Sequence, residues 1–350
     1  INNMKKVCVI GLGYIGLPTS VMFAKHGVEV IGVDVTPSVV ESLNKGIMHI
    51  EEPGLGELLK EVVEDGMFKA ALEPEEADAF IVAVPTPNKD DHYKSCDLSY
   101  VISATKNAIP YLKKGDSLII ESTIAPRTVN DYIVPLVVEA GLKPGEDIHL
   151  AHCPERVLPG KIIEEMIHNN RIVGGYTDNC TNEVAKLYET FVQGEIVRTN
   201  AKTAEMSKLM ENTFRDVNIA LANELAKVCN RLHINVLDVI DMANKHPRVN
   251  IHTPGPGVGG HCLAVDPYFI IEKAPELARL ITMARDTNKS MPYYVADKTD
   301  ELLAGIENPK VTVLGVTYKG NIDDMRESPA NEIIEMLKER GYMVDVHDPH

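Results

Sequence analysis

Apolar and polar positions along this chain follow two rhythms, one of short buried strands and one of long helices. Lys5 to Ile10 is a short apolar run, followed by Gly11-Leu12-Gly13-Tyr14-Ile15-Gly16 and a helical segment that ends at Gly27. A second run, Val28 to Val33, leads into Asp34. Short apolar runs bounded by turn residues predict strands buried on both faces, as in a parallel sheet. Ala79 to Val84, Ser117 to Glu121 and Ile148 to Ala151 read the same way. They lead into Pro85-Thr86-Pro87, Ser122-Thr123 and Cys153-Pro154-Glu155-Arg156-Val157. From about Asn200 to Leu232 the rhythm is that of one long helix without internal proline or glycine, with Leu209, Phe214, Leu221, Leu225 and Val228 as expected packing residues. Lys208 and Asn212 share a face of it, because they stand four residues apart. Beyond Pro309 the strand rhythm returns. Val311 to Leu314 is a predicted strand, Ser328-Pro329 a helix start, Gly341 a helix stop and Tyr342 to Val346 another strand.

The fold class expected from this order is α/β, in three parts. Residues 1–199 form a doubly wound Rossmann-type sheet, 200–296 a central all-helical domain, and 297–350 the start of a second Rossmann-like domain. Two strands are too few for a stable open sheet, so the last domain is expected to be truncated.

Composition narrows the function classes. The 350 residues, 44% of them hydrophobic, are enough for two or three domains with real cores. Fifty-one acids against thirty-five bases give a formal net charge of −16, which argues against nucleic acid or an anionic membrane surface as the main partner. No apolar run approaches the roughly 20 residues needed to span a bilayer, and the start of the chain lacks a signal pattern, so a cytoplasmic protein is expected. Ile1-Asn2-Asn3 precede Met4 as a short extension. The six cysteines form no CxxC pair, and neither a metal nor a disulfide framework is expected.

Two motifs carry chemistry. Strand, GxGxxG, helix, strand and acid follow in the order of a dinucleotide site. Gly11 makes the turn, Gly13 lets the backbone approach a pyrophosphate, and Gly16 lets the helix pack against the strand, with the helix N-terminus facing the phosphates. Asp34 would accept hydrogen bonds from a ribose diol and repel a 2′-phosphate, which favours NAD over NADP. The second motif is Pro254-Gly255-Pro256-Gly257-Val258-Gly259-Gly260-His261-Cys262-Leu263-Ala264-Val265-Asp266-Pro267. It sets a cysteine in a glycine-rich turn with a carboxylate four residues on. The N–H groups of Gly259 and Gly260 are expected to form an anion-stabilising concavity beside the sulfur. The plainer alternative is a structural turn with a buried cysteine, like Cys8 and Cys229 in their apolar segments.

Together, the fingerprint, Pro85-Thr86-Pro87, Glu121-Ser122-Thr123, Cys153-Pro154-Glu155, the Lys208 and Asn212 pair, the Gly-Gly-His-Cys loop and Gly315-Val316-Thr317-Tyr318-Lys319 resemble the UDP-glucose/GDP-mannose dehydrogenase family. The resemblance covers nearly the whole chain. It implies a four-electron oxidation of a nucleotide sugar with two NAD, through a thiohemiacetal and a thioester on Cys262, and a place in polysaccharide biosynthesis. By the same resemblance the catalytic residues are Cys262, Lys208, Asn212, Asp266, Glu155 and Thr123. The NAD contacts are Gly11, Gly13, Tyr14, Ile15, Gly16, Asp34, Pro85, Thr86 and Thr123. The UDP-sugar contacts are Glu155, Arg156, Val157, Lys208, Asn212, Arg248, His261 and Lys319. Arg248 would reach into the partner subunit of a homodimer whose interface is centred on the long helix. The loop, with His261 and Val265 in place of the serine and lysine of hexose enzymes, is most similar to that of members oxidising UDP-N-acetyl-D-mannosamine. Members acting on UDP-N-acetylglucosamine stand second. A one-step β-hydroxyacid dehydrogenase shares the layout but has no use for the cysteine loop, and a bare NAD-binding module would ignore UDP.

Overall fold

The structure is a computed structural model and describes residues 4–320 and 324–349. Ile1, Asn2 and Asn3 lie outside the described residues. The chain divides into two compact units, Ile1–Asp90 with Cys96–Lys208, and Asp91–Ser95 with Leu209–His350.

In the first unit the order is β1 (Lys6–Ile10), α1 (Gly16–Lys25), β2 (Glu29–Val33), α2 (Pro37–Asn44), α3 (Leu55–Glu64), β3 (Phe68–Ala71), β4 (Ala79–Val82) and α4 (Ser99–Ala108). Next come β5 (Ser117–Ile120), α5 (Val134–Glu139), β6 (His149–His152), α6 (Ile162–His168), β7 (Arg171–Gly175), α7 (Asp178–Tyr188) and β8 (Ile196–Asn200). The eight strands form one sheet in the order β3-β2-β1-β4-β5-β6-β7-β8. All neighbours run parallel except β6 and β7. This is the expected doubly wound sheet, and its strand order reverses between β1 and β4, the point beyond whose strand ends such sheets bind ligands. All residues of β4 and β5 are buried, which is why these strands read as unbroken apolar runs. On one face Phe23 of α1 packs edge-on to Phe191 at 4.9 Å between ring centroids and lies 5.8 Å from Tyr188. Phe23 is fully buried, and truncating it to alanine removes about 3–5 kcal/mol of stability.

Helix α8 (Ala201–Arg231) runs on from β8 and carries the boundary between the units after Lys208. The second unit continues with α9 (Val236–Ala243), α10 (Asp266–Ile271), α11 (Arg279–Leu303), β9 (Lys310–Leu314), α12 (Pro329–Glu339) and β10 (Met343–His347). β9 and β10 pair in parallel with α12 as their crossover, the expected second βαβ unit. Gly341 (φ +90°) follows α12 in the left-handed region, as expected of a helix stop. Ser328 precedes Pro329 as predicted, yet its side chain makes no capping bond and its Oγ is buried without a partner.

The packing of α8 corrects the sequence expectation. Leu209 is fully buried and Leu225 half-buried, but Phe214, Leu221 and Val228 are 63%, 52% and 49% exposed. The buried face carries Thr213, Asp216, Ala220, Ala222, Asn223 and Cys229 instead. Apolar character alone misassigned the face, because this helix turns a polar network inward. The apolar pattern does not mark strands β3, β7 and β8 or helix α11, which has Pro292 inside it.

Candidate active site

The glycines of the first unit fit a dinucleotide. Gly11 has φ +99°, and a Cβ there would stand 2.5 Å from the Ala83 carbonyl oxygen. At Gly16 a Cβ would fall 1.6 Å from the Gly11 carbonyl oxygen, so the first turn of α1 closes onto β1 without room for a side chain. A Cβ on Gly13 would meet nothing within 4 Å. Its glycine thus preserves open space beside the backbone, where a pyrophosphate would approach. Tyr14 and Gly13 are exposed and Ile15 is half-buried; α1 has no side-chain cap and no acid in its first turn to compete with phosphate. Asp34 accepts from the Leu12 N–H at 3.3 Å and the Thr36 N–H at 3.0 Å, which fixes its carboxylate at the end of β2.

The turns after β4 and β5 are joined. The Thr86 hydroxyl donates to the Thr123 carbonyl, and the Ser122 hydroxyl donates to the Val84 carbonyl at 2.7 Å. Pro85 is exposed, while Thr86 and Thr123 are half-buried.

Glu155, past β6, belongs to a buried charge cluster. Arg171 bridges Glu155 and Glu121, donating to Glu121 at 3.0 Å and to the Cys153 carbonyl at 3.2 Å, and its guanidinium lies 4.4 Å from the Tyr188 ring centroid. Tyr188 and Thr19 donate to Glu121 at 2.6 and 3.0 Å. Burial pushes the Glu121 carboxyl up against the pull of Arg171. Burial also opposes the Arg171 charge, but Glu155 and Glu121 outweigh it and raise the guanidinium pKa. The other Glu155 oxygen accepts the Arg156 N–H at 2.9 Å, the Arg156 guanidinium reaches the Asn170 carbonyl at 2.8 Å, and Val157 is half-buried. Arg171 was missed in the sequence, although an arginine opening a strand beside Ile172-Val173 is a signal, since a buried cation requires partners.

Lys208 is 7% exposed, not part of a solvated surface. Also buried in this unit, His152 has its pKa pushed down to about 3 by burial, with the Lys208 and Arg171 charges adding to the effect. Three residues before Lys208, the buried Glu205 accepts the Val129 N–H at 3.1 Å, at the start of a single π-helical turn, and burial raises its pKa to about 7.

In the second unit, Asn212 donates to Asp266 at 2.7 Å, and Asp266 is 3% exposed. Of the six cysteines, five are buried and Cys262 is exposed. Its carbonyl accepts the N–H groups of Val265 at 3.3 Å and Asp266 at 3.0 Å, which ties the cysteine turn to the start of α10. The expected anion concavity is corrected: the Gly260 N–H is directed at the Arg326 carbonyl at 3.3 Å. The loop needs its glycines for space. A Cβ at Gly259 would stand 2.6 Å from the Glu327 carbonyl oxygen and from the Tyr318 Cβ, and one at Gly260 would stand 2.9 Å from the Tyr318 ring. His261, Lys319 and Arg248 are exposed, the last in a turn where it contacts His246. Among the described residues no helix is long and apolar enough to cross a membrane.

Residues 5–192 match the UDP-glucose/GDP-mannose dehydrogenase family NAD binding domain, 202–290 its central domain and 312–350 its UDP binding domain. A UDP-N-acetyl-D-mannosamine dehydrogenase of Methanococcus maripaludis is 50% identical over 99% of this chain and 80% of its own length. An NDP-N-acetyl-D-galactosaminuronic acid dehydrogenase of Ralstonia nicotianae is 47% identical over 99% of this chain and 84% of its own. Among solved structures, the UDP-N-acetyl-mannosamine dehydrogenase Cap5O from S. aureus superposes with a TM-score of 0.92 at 60% identity, covering 99% of this chain and 83% of its own.

Proposed function

The chain belongs to the UDP-glucose/GDP-mannose dehydrogenase family and is an NAD-dependent UDP-sugar oxidoreductase, and we propose that it oxidises UDP-N-acetyl-D-mannosamine at C6 to UDP-N-acetyl-D-mannosaminuronate through covalent intermediates on Cys262. The observation that carries this reading is Cys262 itself, exposed on a turn whose carbonyl is held by the N–H of Asp266.

Bound NAD supplies the hydride acceptor for each of two oxidations, and Gly11, Gly13, Tyr14, Ile15, Gly16, Asp34, Pro85, Thr86 and Thr123 are the residues we assign to hold it. As the C6 alcohol becomes an aldehyde, its hydroxyl proton passes to Asp266. Asp266 lies beside the nucleophile, its N–H bonded to the Cys262 carbonyl. The Cys262 S–H then adds across the aldehyde carbonyl, forming the C–S bond and a thiohemiacetal hydroxyl. Loss of the C6 hydride to the second NAD and of the hydroxyl proton to solvent leaves a thioester. Water attacks its carbonyl, the C–S bond breaks, the thiol regains a proton and the acid departs. The Lys208 ammonium stabilises the oxyanions of these steps, and Asn212, bonded to Asp266, orients the water or the sugar oxygen. Glu155, Arg156, Val157, His261 and Lys319 complete the UDP-sugar contacts.

The acetamido preference rests on the loop, where His261 and the half-buried Ala264-Val265 pair leave out the lysine of hexose enzymes, and on the names of the similar proteins. UDP-N-acetylglucosamine is the second reading. A homodimer is supported by the exposed stripe of Met210, Phe214, Leu221 and Val228 on α8, with the exposed Arg248 contributed to the partner's sugar site. We place the reaction in the cytoplasm, where a free thiol stays reduced. The decisive experiment is stoichiometric. Two NADH released per acid formed are expected; one NADH per free carbonyl product would instead indicate a one-step dehydrogenase.

A further inference from the structure

Four buried polar side chains form one chain of hydrogen bonds that grips the Cys262 loop on both sides of the sulfur. Asp216 and Asn223 come from α8, and Arg285 and Asn288 from α11. They are 0%, 0%, 3% and 2% exposed. On one side, Arg285 donates through Nε and Nη2 to both oxygens of Asp216, and its remaining nitrogen, Nη1, reaches the Ala264 carbonyl at 3.3 Å. On the other side, the Gly255 N–H donates to Asn223 at 2.9 Å, Asn223 donates to Asn288 at 2.8 Å, and Asn288 donates to Asp216 at 2.8 Å.

The direction of this chain is forced. Asp216 meets Asn288 with two acceptors, a side-chain oxygen at 2.8 Å and its backbone carbonyl at 3.0 Å, so Asn288 must turn its NH2 toward Asp216 and its oxygen toward Asn223. Asn223 must then donate toward Asn288, which leaves its own oxygen for the Gly255 N–H. Asp216 thus orients two amides and fixes the acceptor that holds the loop seven residues before Cys262. Its carboxylate aligns the guanidinium that holds the carbonyl two residues after Cys262.

A buried ion pair contributes little net stability by itself, because desolvation offsets much of its attraction. The geometry points to another use: we propose that Asp216, Asn223, Arg285 and Asn288 are positioning residues that fix the reach of the Cys262 sulfur toward the aldehyde formed in the first oxidation. The inference rests on Cys262 as the nucleophile. The grip keeps addition of the thiol faster than escape of the aldehyde.

Arg285→Lys keeps the charge but loses the planar fork that spans Asp216 and Ala264. Asn223→Ala removes the acceptor of the Gly255 N–H. Each full-length variant is assayed with NAD and UDP-N-acetylmannosamine in the presence of a hydrazide that traps aldehydes. Wild type is expected to give two NADH per acid and no hydrazone. Both variants should divert at least a tenth of turnovers into hydrazone and exceed two NADH per acid, with the KM for NAD within twofold of wild type. A purely structural role would reduce the amount of active protein without changing this partition. Two NADH per acid and no hydrazone from both variants, at whatever rate, overturns the positioning role. Cys262→Ser, assayed alongside, separates the two readings: if it leaks aldehyde while the grip variants do not, the grip alone falls, and if it too gives two NADH per acid without hydrazone, the nucleophile reading falls and the grip with it.

Discussion

Glu205 carries a carboxylate on α8 that is buried and titrates far from its ordinary range. Its pKa rises from 4.5 to about 7, with burial the largest cause; the backbone N–H groups of Val129, Arg127 and Thr128 pull against the shift and the Asp131 charge adds to it. Below about pH 4.5 the folded and unfolded states are both protonated. Between 4.5 and 7 the folded state keeps a proton that the unfolded state has released, so stability falls as pH rises through this window and levels off above it. The shift corresponds to a penalty on the order of 3 kcal/mol at full ionisation. Glu205→Gln should therefore gain thermal stability relative to wild type between pH 5 and pH 8, as read from melting temperatures. A difference that stays constant with pH would show that the carboxyl does not titrate there. His152 acts on the acid side, where its depressed pKa makes stability rise with pH between about 3 and 6.5, and it cancels in the comparison. At Cys262 the expectation is simpler. A serine hydroxyl is a weaker nucleophile and a poorer leaving group, so Cys262→Ser should lose at least about a hundredfold in kcat while retaining NAD affinity by calorimetry. Wild-type turnover in that variant would make Cys262 a loop residue. The fingerprint glycines and Cys262 were legible in the sequence because each belongs to a local motif. Arg171, Asp216 and Arg285 were not, because a buried charge is recognised by partners 16 to 69 residues away in the chain.

At the level of elements, the three glycines before α1 separate by what surrounds them. Gly13→Ala introduces a methyl group into open space and should leave the melting temperature within a few degrees of wild type while lowering NAD affinity about tenfold or more. Gly16→Ala drives a Cβ against the Gly11 carbonyl, and both stability and NAD affinity should fall. Equal effects from the two substitutions would contradict this division of labour. Helix α8 shows the limit of reading periodicity alone. Its span was legible to within a residue, Asn200 to Leu232 against Ala201–Arg231, because no proline or glycine interrupts it. Its buried face was legible only at Leu209, because Phe214, Leu221 and Val228 point outward and the inward face mixes small apolar residues with Thr213, Asp216 and Asn223. If that outward stripe is a subunit interface, Phe214→Glu should turn a dimer into a monomer in sedimentation equilibrium, since burying an unpaired charge at an apolar contact is costly. A monomeric wild type would remove the stripe's assigned role.

For the molecule as a whole, the doubly wound sheet and the second βαβ unit followed from strand-like runs whose turns carry glycine, proline and acids. Substrate choice is less legible, since two acetamido epimers differ at one carbon and a few polar contacts decide between them. The most direct test of the account compares kcat/KM for UDP-N-acetylmannosamine, UDP-N-acetylglucosamine and UDP-glucose at fixed NAD, with NADH counted per acid. UDP-N-acetylmannosamine should give the highest value, UDP-N-acetylglucosamine the second and UDP-glucose negligible turnover, with two NADH per acid; a preference for UDP-glucose, or one NADH per product, would overturn the assignment.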